Sequence, residues 1–246
     1  MKNKYTWVKV TVFGLLMQAS ICFALPIGTA DAGKEYLIAT PDLHNFSGGV
    51  YYHKAERKVD AGRLTDELFT YRSLMGYIGY DILRWVTIYG TLGQNKSRFD
   101  SLPYSSGDSE YGFGVAINLL NYEMMDPTLH HHFLFDRIRI NAGGQYTRTS
   151  GSWLYYPYNA KWQEVYAWLT LSIINDISGN KLYTPLSIAI TAGPTFSDIQ
   201  GENIDEKDAL GVMGAIEIYF SKTLSVDVSI EKFEKEQISG GIHIRF

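Results

Sequence analysis

The sequence predicts an all-β chain: a transmembrane up-and-down antiparallel β-barrel of about ten strands, with eight or twelve as the alternatives. Three observations predict it. From residue 45 onward, apolar residues alternate with small or polar ones at a period of two, the mark of strands with one greasy face. Beyond the N-terminal segment no apolar run reaches the roughly 18 to 20 residues that a membrane-spanning helix needs. Long polar connections broadly alternate with very short ones, as in a meander closed on itself. Composition agrees: 246 residues, 46% hydrophobic, 20% charged and 14% aromatic, with 23 glycines, exclude a disordered or low-complexity chain. The formal net charge of −4 argues against nucleic acid as the main partner, because phosphate binding needs clustered Lys and Arg.

The chain opens with Lys2, Lys4 and Lys9 and no acid, followed by the mostly apolar stretch Val10 to Ala24. Residues 1–24 are therefore expected to be a signal peptide. Cleavage after Ala24, Ala30 or Ala32 fits equally. The single cysteine, Cys22, follows Ile21 rather than the small residue a lipidation signal wants. Without residues 1–24 the chain keeps 19 basic residues against 26 acidic ones, a net of about −7 that favours solubility in transit.

Four stretches alternate most clearly. In Ser109 to Leu120, Tyr111, Phe113, Val115, Ile117 and Leu119 oppose Gly112, Gly114, Ala116 and Asn118. In Trp162 to Ile173, Val165, Ala167, Leu169 and Leu171 oppose Glu164, Tyr166, Trp168 and Thr170. Leu224 to Glu231 and Ile238 to Phe246 repeat the pattern. Weaker versions cover Phe46–His53, Phe69–Ile82, Trp85–Gly93, Phe133–Tyr146, Tyr183–Gly193 and Leu210–Phe220. Residues 54–68, 94–108, 147–161 and 194–208 are expected to be long polar loops, and 82–84 and 221–223 tight turns; 121–132 and 174–183 are longer than tight turns should be. The non-greasy faces are rich in Gly, Ala, Ser and Thr with isolated charges, which suits a narrow lumen better than a solvated face. Trp85, Tyr111, Trp162, Tyr183 and Phe220 stand at strand ends, where an interfacial girdle would need them. Ile188, between Leu186 and Ile190, is expected near mid-membrane.

The signal segment, the alternating strands, the long loops and above all the last strand, ISGGIHIRF with terminal Phe246, resemble the Gram-negative outer-membrane β-barrel families, in size the small opacity-protein type. The resemblance spans residues 45–246 in pattern and is specific only in the last strand. It implies a location in the outer membrane, contact with lipid and lipopolysaccharide, residues 25–44 as a periplasmic segment, and Phe246 as the signal read by the barrel-assembly machinery.

Inward charges are expected to form a lumen network of Arg137, Arg139, Glu217, Asp227, His243 and Arg245, with Glu164 and Glu231 also facing inward. If the final hairpin turns near Lys235, Asp227 faces His243. Such charges fill a narrow lumen as ion pairs, or form a proton relay or constriction. Asp227, His243 and Ser225 or Ser229 make a weak case for a hydrolase triad, since no G-x-S-x-G elbow surrounds either serine. Omptin-type proteases resemble the chain in strand count only, with His53 and Asp66 or Glu67 as a loose counterpart of their site. His130, His131 and His132 lack identifiable further metal ligands. The acidic run Asp198, Glu202, Asp205, Glu206, Asp208 lacks calcium-loop spacing and reads as a solvated loop. Trp153, Tyr155, Tyr156 and Tyr158 form an aromatic loop tip. No cofactor, metal or catalytic residue is therefore expected. The function expected is structural or surface-interacting through long loops, with a narrow pore for small solutes and an outer-membrane hydrolase as the alternatives; the oligomeric state stays open.

Overall fold

The computed structural model describes residues 46–61, 64–83, 85–100, 103–105, 107–123, 137–152, 159–177, 186–201, 204–206, 209–221 and 223–246. The expected segments 1–24 and 25–44 lie outside these residues, as do His130 to His132, Tyr183 and the aromatic run 153–158. The strands are β1 (Phe46–Ala61), β2 (Leu64–Leu83), β3 (Val86–Phe99), β4 (Asp108–Glu123), β5 (Arg137–Ser152), β6 (Asn159–Ile177), β7 (Leu186–Gly201), β8 (Ile204–Glu206), β9 (Leu210–Tyr219), β10 (Leu224–Lys232) and β11 (Glu236–Arg245). All pairings are antiparallel. Consecutive strands from β1 to β7 pair, β7 pairs β9, β9 adjoins β10, β10 pairs β11, and β11 returns to β1. Ten strands thus close a wall. Full closure leaves no row of unpaired backbone groups, which a lipid-facing sheet cannot tolerate.

The register defines an apolar belt. Tyr52, Leu74, Leu92, Phe113, Tyr146, Val165, Phe196, Leu210, Ile230 and Ile238 face outward along its upper edge, and Phe46, Trp85, Phe220, Leu224 and Phe246 along its lower edge. About nine residues of tilted strand separate the edges, close to the roughly 25 Å of a barrel's lipid-facing band. The inner face of the same strands carries Ser, Thr, Asn, Tyr and charge.

Above the belt the alternation reverses. On β1 the outward residues become Lys54, Glu56, Lys58 and Asp60, while Ala55, Arg57 and Val59 are buried inside. The expected loops 54–68, 147–161 and 194–208 are therefore largely strand, while 94–108 is strand only at 94–99 and 108: β1 and β2 are separated by residues 62–63 alone, and β10 and β11 by 233–235. Charged outer and apolar inner faces are what a barrel needs where water, not lipid, surrounds it. The wall is uneven, since β9, β10 and β11 stop at the belt's upper edge while β1 and β7 continue. The three-residue β8 bridges the notch, pairing Ile204 and Asp205 with β7 and Ile204 to Glu206 with Ala61 to Val59 of β1.

Two other expectations need correcting. Trp162 points into the lumen, 3% exposed, with its ring edge-on to Phe69 at 5.3 Å, because it shares parity with Glu164 and Tyr166 rather than with Val165. Ile188 lies two residues from the start of β7, opposite Ile218, and so sits near the belt's lower edge; Ile190, 56% exposed, is nearer the middle. Ile190→Arg should therefore destabilise by about 2–4 kcal/mol, and Ile188→Arg by less, both read from urea unfolding in lipid. Equal effects at Ile190 and at exposed Gln200 would contradict the belt. The β6–β7 ladder skips Leu169–Thr170 against Gly193–Pro194, because proline has no N–H to donate and a Cβ at Gly193 would lie 2.0 Å from the Leu169 carbonyl oxygen.

Candidate functional site

The lumen holds the chain's buried polar groups in two tiers, with aromatic and thioether side chains between. In the lower tier Glu217, Asp227, His243, Arg245, Arg137 and Arg139 all face inward and are buried. Several contacts among them and their neighbours can be traced atom by atom. His243 lies directly across from Ser225 and Asp227 across from Gly241, so Asp227 reaches the imidazole diagonally, over the glycine rather than face to face. Gly241 leaves that path open: a Cβ there would stand 3.1 Å from His243 Nε2. Nε2–H donates to Asp227 Oδ1 (2.6 Å) and Nδ1 accepts from the Tyr77 hydroxyl (2.8 Å), the arrangement of the neutral imidazole that satisfies both contacts. Ser225 donates to Glu217 Oε1 (2.6 Å). Arg245 pairs with Asp81, which also accepts from Thr87 Oγ1 (2.6 Å). Arg139 Nε donates to Asn121 Oδ1 (3.3 Å).

A hydrolase triad does not assemble from these atoms. Both His243 nitrogens are engaged, and the proton of Ser225 goes to Glu217. His53 is buried against Tyr71 (centroids 5.2 Å apart, edge to face), with Arg57 and Val59 above it, so it is not at the outer rim. A recess at the lower mouth is bordered by Ser47, Tyr77, Ser225, His243 and Arg245.

Across mid-lumen lie Tyr51, Met75, Tyr77, Tyr89, Tyr166, Trp168 and Met213 in one buried cluster, and above them Phe69, Tyr71, Phe99, Trp162, Ile199 and Ile204 in a second. Strands four apart around the ring touch: Tyr71 of β2 donates to Glu164 Oε2 of β6 at 3.0 Å, beside the Phe69–Trp162 contact. Side chains thus cross the full width of the barrel.

The upper tier centres on Arg57, a residue the sequence reading placed in a loop. Its Nε lies 2.8 Å from Glu206 Oε1, its guanidinium donates to Gln237 Oε1, and its Cζ stands 3.8 Å over the Phe233 ring. Glu206 accepts from the Ile199 N–H at 3.1 Å; the one hydroxyl proton of Ser197 is shared between Glu164 Oε1 (2.8 Å) and Glu206 Oε2 (3.1 Å), and Glu231 accepts from Tyr166 (2.8 Å) and Gln237 (3.2 Å). The acidic run expected to be a solvated loop is split: Asp198 faces outward and accepts from Gln200, while Glu206 turns inward and fastens β8 to β1. Among the described residues no cluster of three metal-ligating side chains occurs.

Glu206 lies on β8, which does not cross the belt. Burial pushes its carboxyl up to about 7; Arg57 pulls the other way and Glu164 adds to the rise. Glu206 thus keeps, between pH 4.5 and about 7, a proton that the unfolded chain releases. Its stabilisation is complete below that window and is lost as pH rises through it. Hydrogen exchange of the β8 amides, corrected for intrinsic rates, should show protection falling at least about tenfold from pH 4.5 to pH 8. Glu206→Gln should flatten the profile, and a parent profile already flat would contradict the assignment.

At the lower rim Phe246 N–H donates to the Phe46 carbonyl (3.0 Å), and its exposed ring covers Gly48. The terminal residue thus completes the β11–β1 seam. Deleting it should reduce the folded, heat-modifiable fraction in membranes more than deleting Lys235 in the β10–β11 turn; an unchanged fraction would contradict a role in closure.

No protein-family model matches the chain. No curated protein matches it either. Among solved structures, an outer-membrane channel of Pseudomonas putida F1 is similar over 83% of this chain and 96% of its own, at 8% identity and a TM-score of 0.40. The outer-membrane protease OmpT of Escherichia coli is similar over 84% and 98%, at 10% identity and 0.32. The Acinetobacter baumannii outer-membrane protein Omp33 is similar over 83% and 99%, at 9% identity and 0.28. Such distant likenesses transfer no activity; on its own residues the chain is a closed ten-stranded antiparallel β-barrel with an apolar belt outside and buried polar and aromatic side chains within, the architecture of the outer-membrane barrels.

Proposed function

We propose that the protein is an exported outer-membrane barrel with a structural and surface-interacting role, neither conducting solutes nor catalysing a reaction. The observation that carries this reading is the crossing of the lumen by Phe69–Trp162 and Tyr71–Glu164, with the Arg57 cluster beside it. The surface offered outward is the tall strand wall above the belt and its rim, rather than long loops. A narrow pore has the lower-mouth recess in its favour, and against it the contacts of Phe69 with Trp162 and of Tyr71 with Glu164 across the barrel. Against the hydrolase alternative, His243 Nδ1 meets the Tyr77 hydroxyl rather than a serine, and His53, whose Nε2 has no hydrogen-bond partner, is buried beside Tyr71. Residues 1–24 direct export in this reading, and the barrel-assembly machinery inserts the strands.

Single cysteines placed at Lys58 and Gln200, above the belt, and at Thr223, below it, test the placement in a Cys22→Ala background. A membrane-impermeant maleimide should label the first two on intact cells and Thr223→Cys only after permeabilisation. Labelling of all three on intact cells, or of none, would overturn the placement.

A further inference from the structure

We infer that the outer face of β1–β3, directly above the belt, binds the phosphate groups of lipid headgroups through Arg72, Lys96, Arg98 and Lys54. This rests on the membrane placement proposed above and adds a specific ligand chemistry to it.

The register sets three cations side by side: Lys54 stands opposite Arg72, and Arg72 opposite Lys96. Arg98, two residues further up β3, stands opposite Thr70. Directly opposed like charges are unfavourable on a strand pair, and here two such pairs adjoin. Glu56 neutralises only Lys54, at 2.6 Å. Among the described residues neither Arg72, Lys96 nor Arg98 makes an ion pair. Exposed Asp100, two residues beyond Arg98 in sequence, makes no ion pair with any of the three.

The cations are also held in place. Both guanidinium carbons lie against the Tyr104 ring, Arg72 at 4.8 Å and Arg98 at 4.9 Å from its centroid. The ring's negative face keeps together two groups that would otherwise separate. Arg98 Nε and the Tyr104 hydroxyl are shielded from solvent and have no hydrogen-bond partner. The aliphatic stem of Lys96 lies on Gly107, whose φ of +91° turns the loop beneath it; a Cβ there would stand 3.3 Å from Lys96 Cε. Paired guanidinium forks beside an ammonium match the geometry and charge of a phosphate group.

Height and sidedness argue for a lipid rather than a soluble anion. The outward residues just below are Tyr52, Leu74 and Gln94 above Leu92, so the charges begin where the belt ends. At the same height β7 presents Asp198 and Gln200, and the β10–β11 hairpin presents the Lys232–Glu236 pair. At these two places, unlike at the β2–β3 pairs, each charge or polar group has an opposite or neutral neighbour.

The test compares the parent with the triple variant Arg72→Gln/Lys96→Gln/Arg98→Gln, refolded into phosphatidylcholine vesicles without or with 10% of a bisphosphorylated glucosamine lipid, roughly a headgroup-saturating excess. Arg148→Gln serves as a control for an exposed cation above the belt on β5. Binding of that lipid by the purified barrel is measured alongside, with inorganic phosphate as competitor. The parent is expected to bind at least about tenfold more tightly than the triple variant, to gain thermal stability from the lipid, and to resist millimolar phosphate. Without the lipid, the triple variant should be no less heat-stable than the parent, because like-charge repulsion has been removed. Failure of both proteins to insert into any vesicle would overturn the membrane placement. Insertion of both with equal lipid binding would overturn this site alone, and full competition by inorganic phosphate would overturn the lipid assignment.

Discussion

Arg57→Met is expected to lower the stability of the barrel at pH 8 by about 3–5 kcal/mol, because it removes one partner of a buried ion pair and leaves a buried carboxylate that must stay uncompensated or take up a proton. Glu206 loses its cation, Gln237 a donor, and Phe233 the guanidinium stacked on it, while Glu164 and Glu231 stay nearby with their repulsion less compensated. The loss should be visible at the rim first. Cleavage by external protease near β8 should accelerate before the belt strands unfold, since β8 is held to β1 by three register pairs and this contact. Arg57→Met combined with Glu206→Gln should recover part of the loss, and the double-mutant cycle should show coupling. A loss below about 1 kcal/mol, with additive effects, would mean that the pair is solvated like an ordinary surface bridge.

Asp227→Asn should also cost about 3–5 kcal/mol, since the carboxylate is buried and holds His243 in the orientation that receives the Tyr77 hydroxyl. The nearest comparison is His243→Asn, which removes the other partner and should not add its full cost to that of Asp227→Asn. A water-filled lumen would behave differently. There the orphaned imidazole would be solvated, stability would hardly change, and ion selectivity would shift instead. Chemical unfolding in lipid vesicles distinguishes the two directly.

These two sites were unequally legible in the sequence. Asp227 and His243 belong to strands whose greasy faces alternate strictly, so their inward direction follows from parity alone. The diagonal between them depends on Gly241, and the partner Tyr77 comes from β2; no local pattern joins residues 166 apart. Arg57 was missed because β1 changes solvent halfway. Up to Tyr52 its outer residues are apolar or small, and from Lys54 they are charged, so the upper half reads as a polar loop although its period of two never breaks. The alternation of Lys54, Glu56, Lys58 and Asp60 with Ala55, Arg57 and Val59 was the available signal. β8 left none: at three residues it is fixed by the gap between β1 and β7, a property of the closed wall. Trp162 was misjudged because aromatic residues suit either a membrane interface or a packed lumen, and only parity with Glu164 decides between them.

The central claim is that side chains close this lumen. Single-channel recording of the parent protein in planar bilayers, across pH 5 to pH 8 and at high salt, tests it most directly. The account predicts insertion without sustained conductance at any pH in that range, since Tyr71, Glu164, Phe69 and Trp162 meet across the barrel independently of the Glu206 contact. Steady, ion-selective channels in the parent, altered by Asp227→Asn without loss of stability, would contradict it.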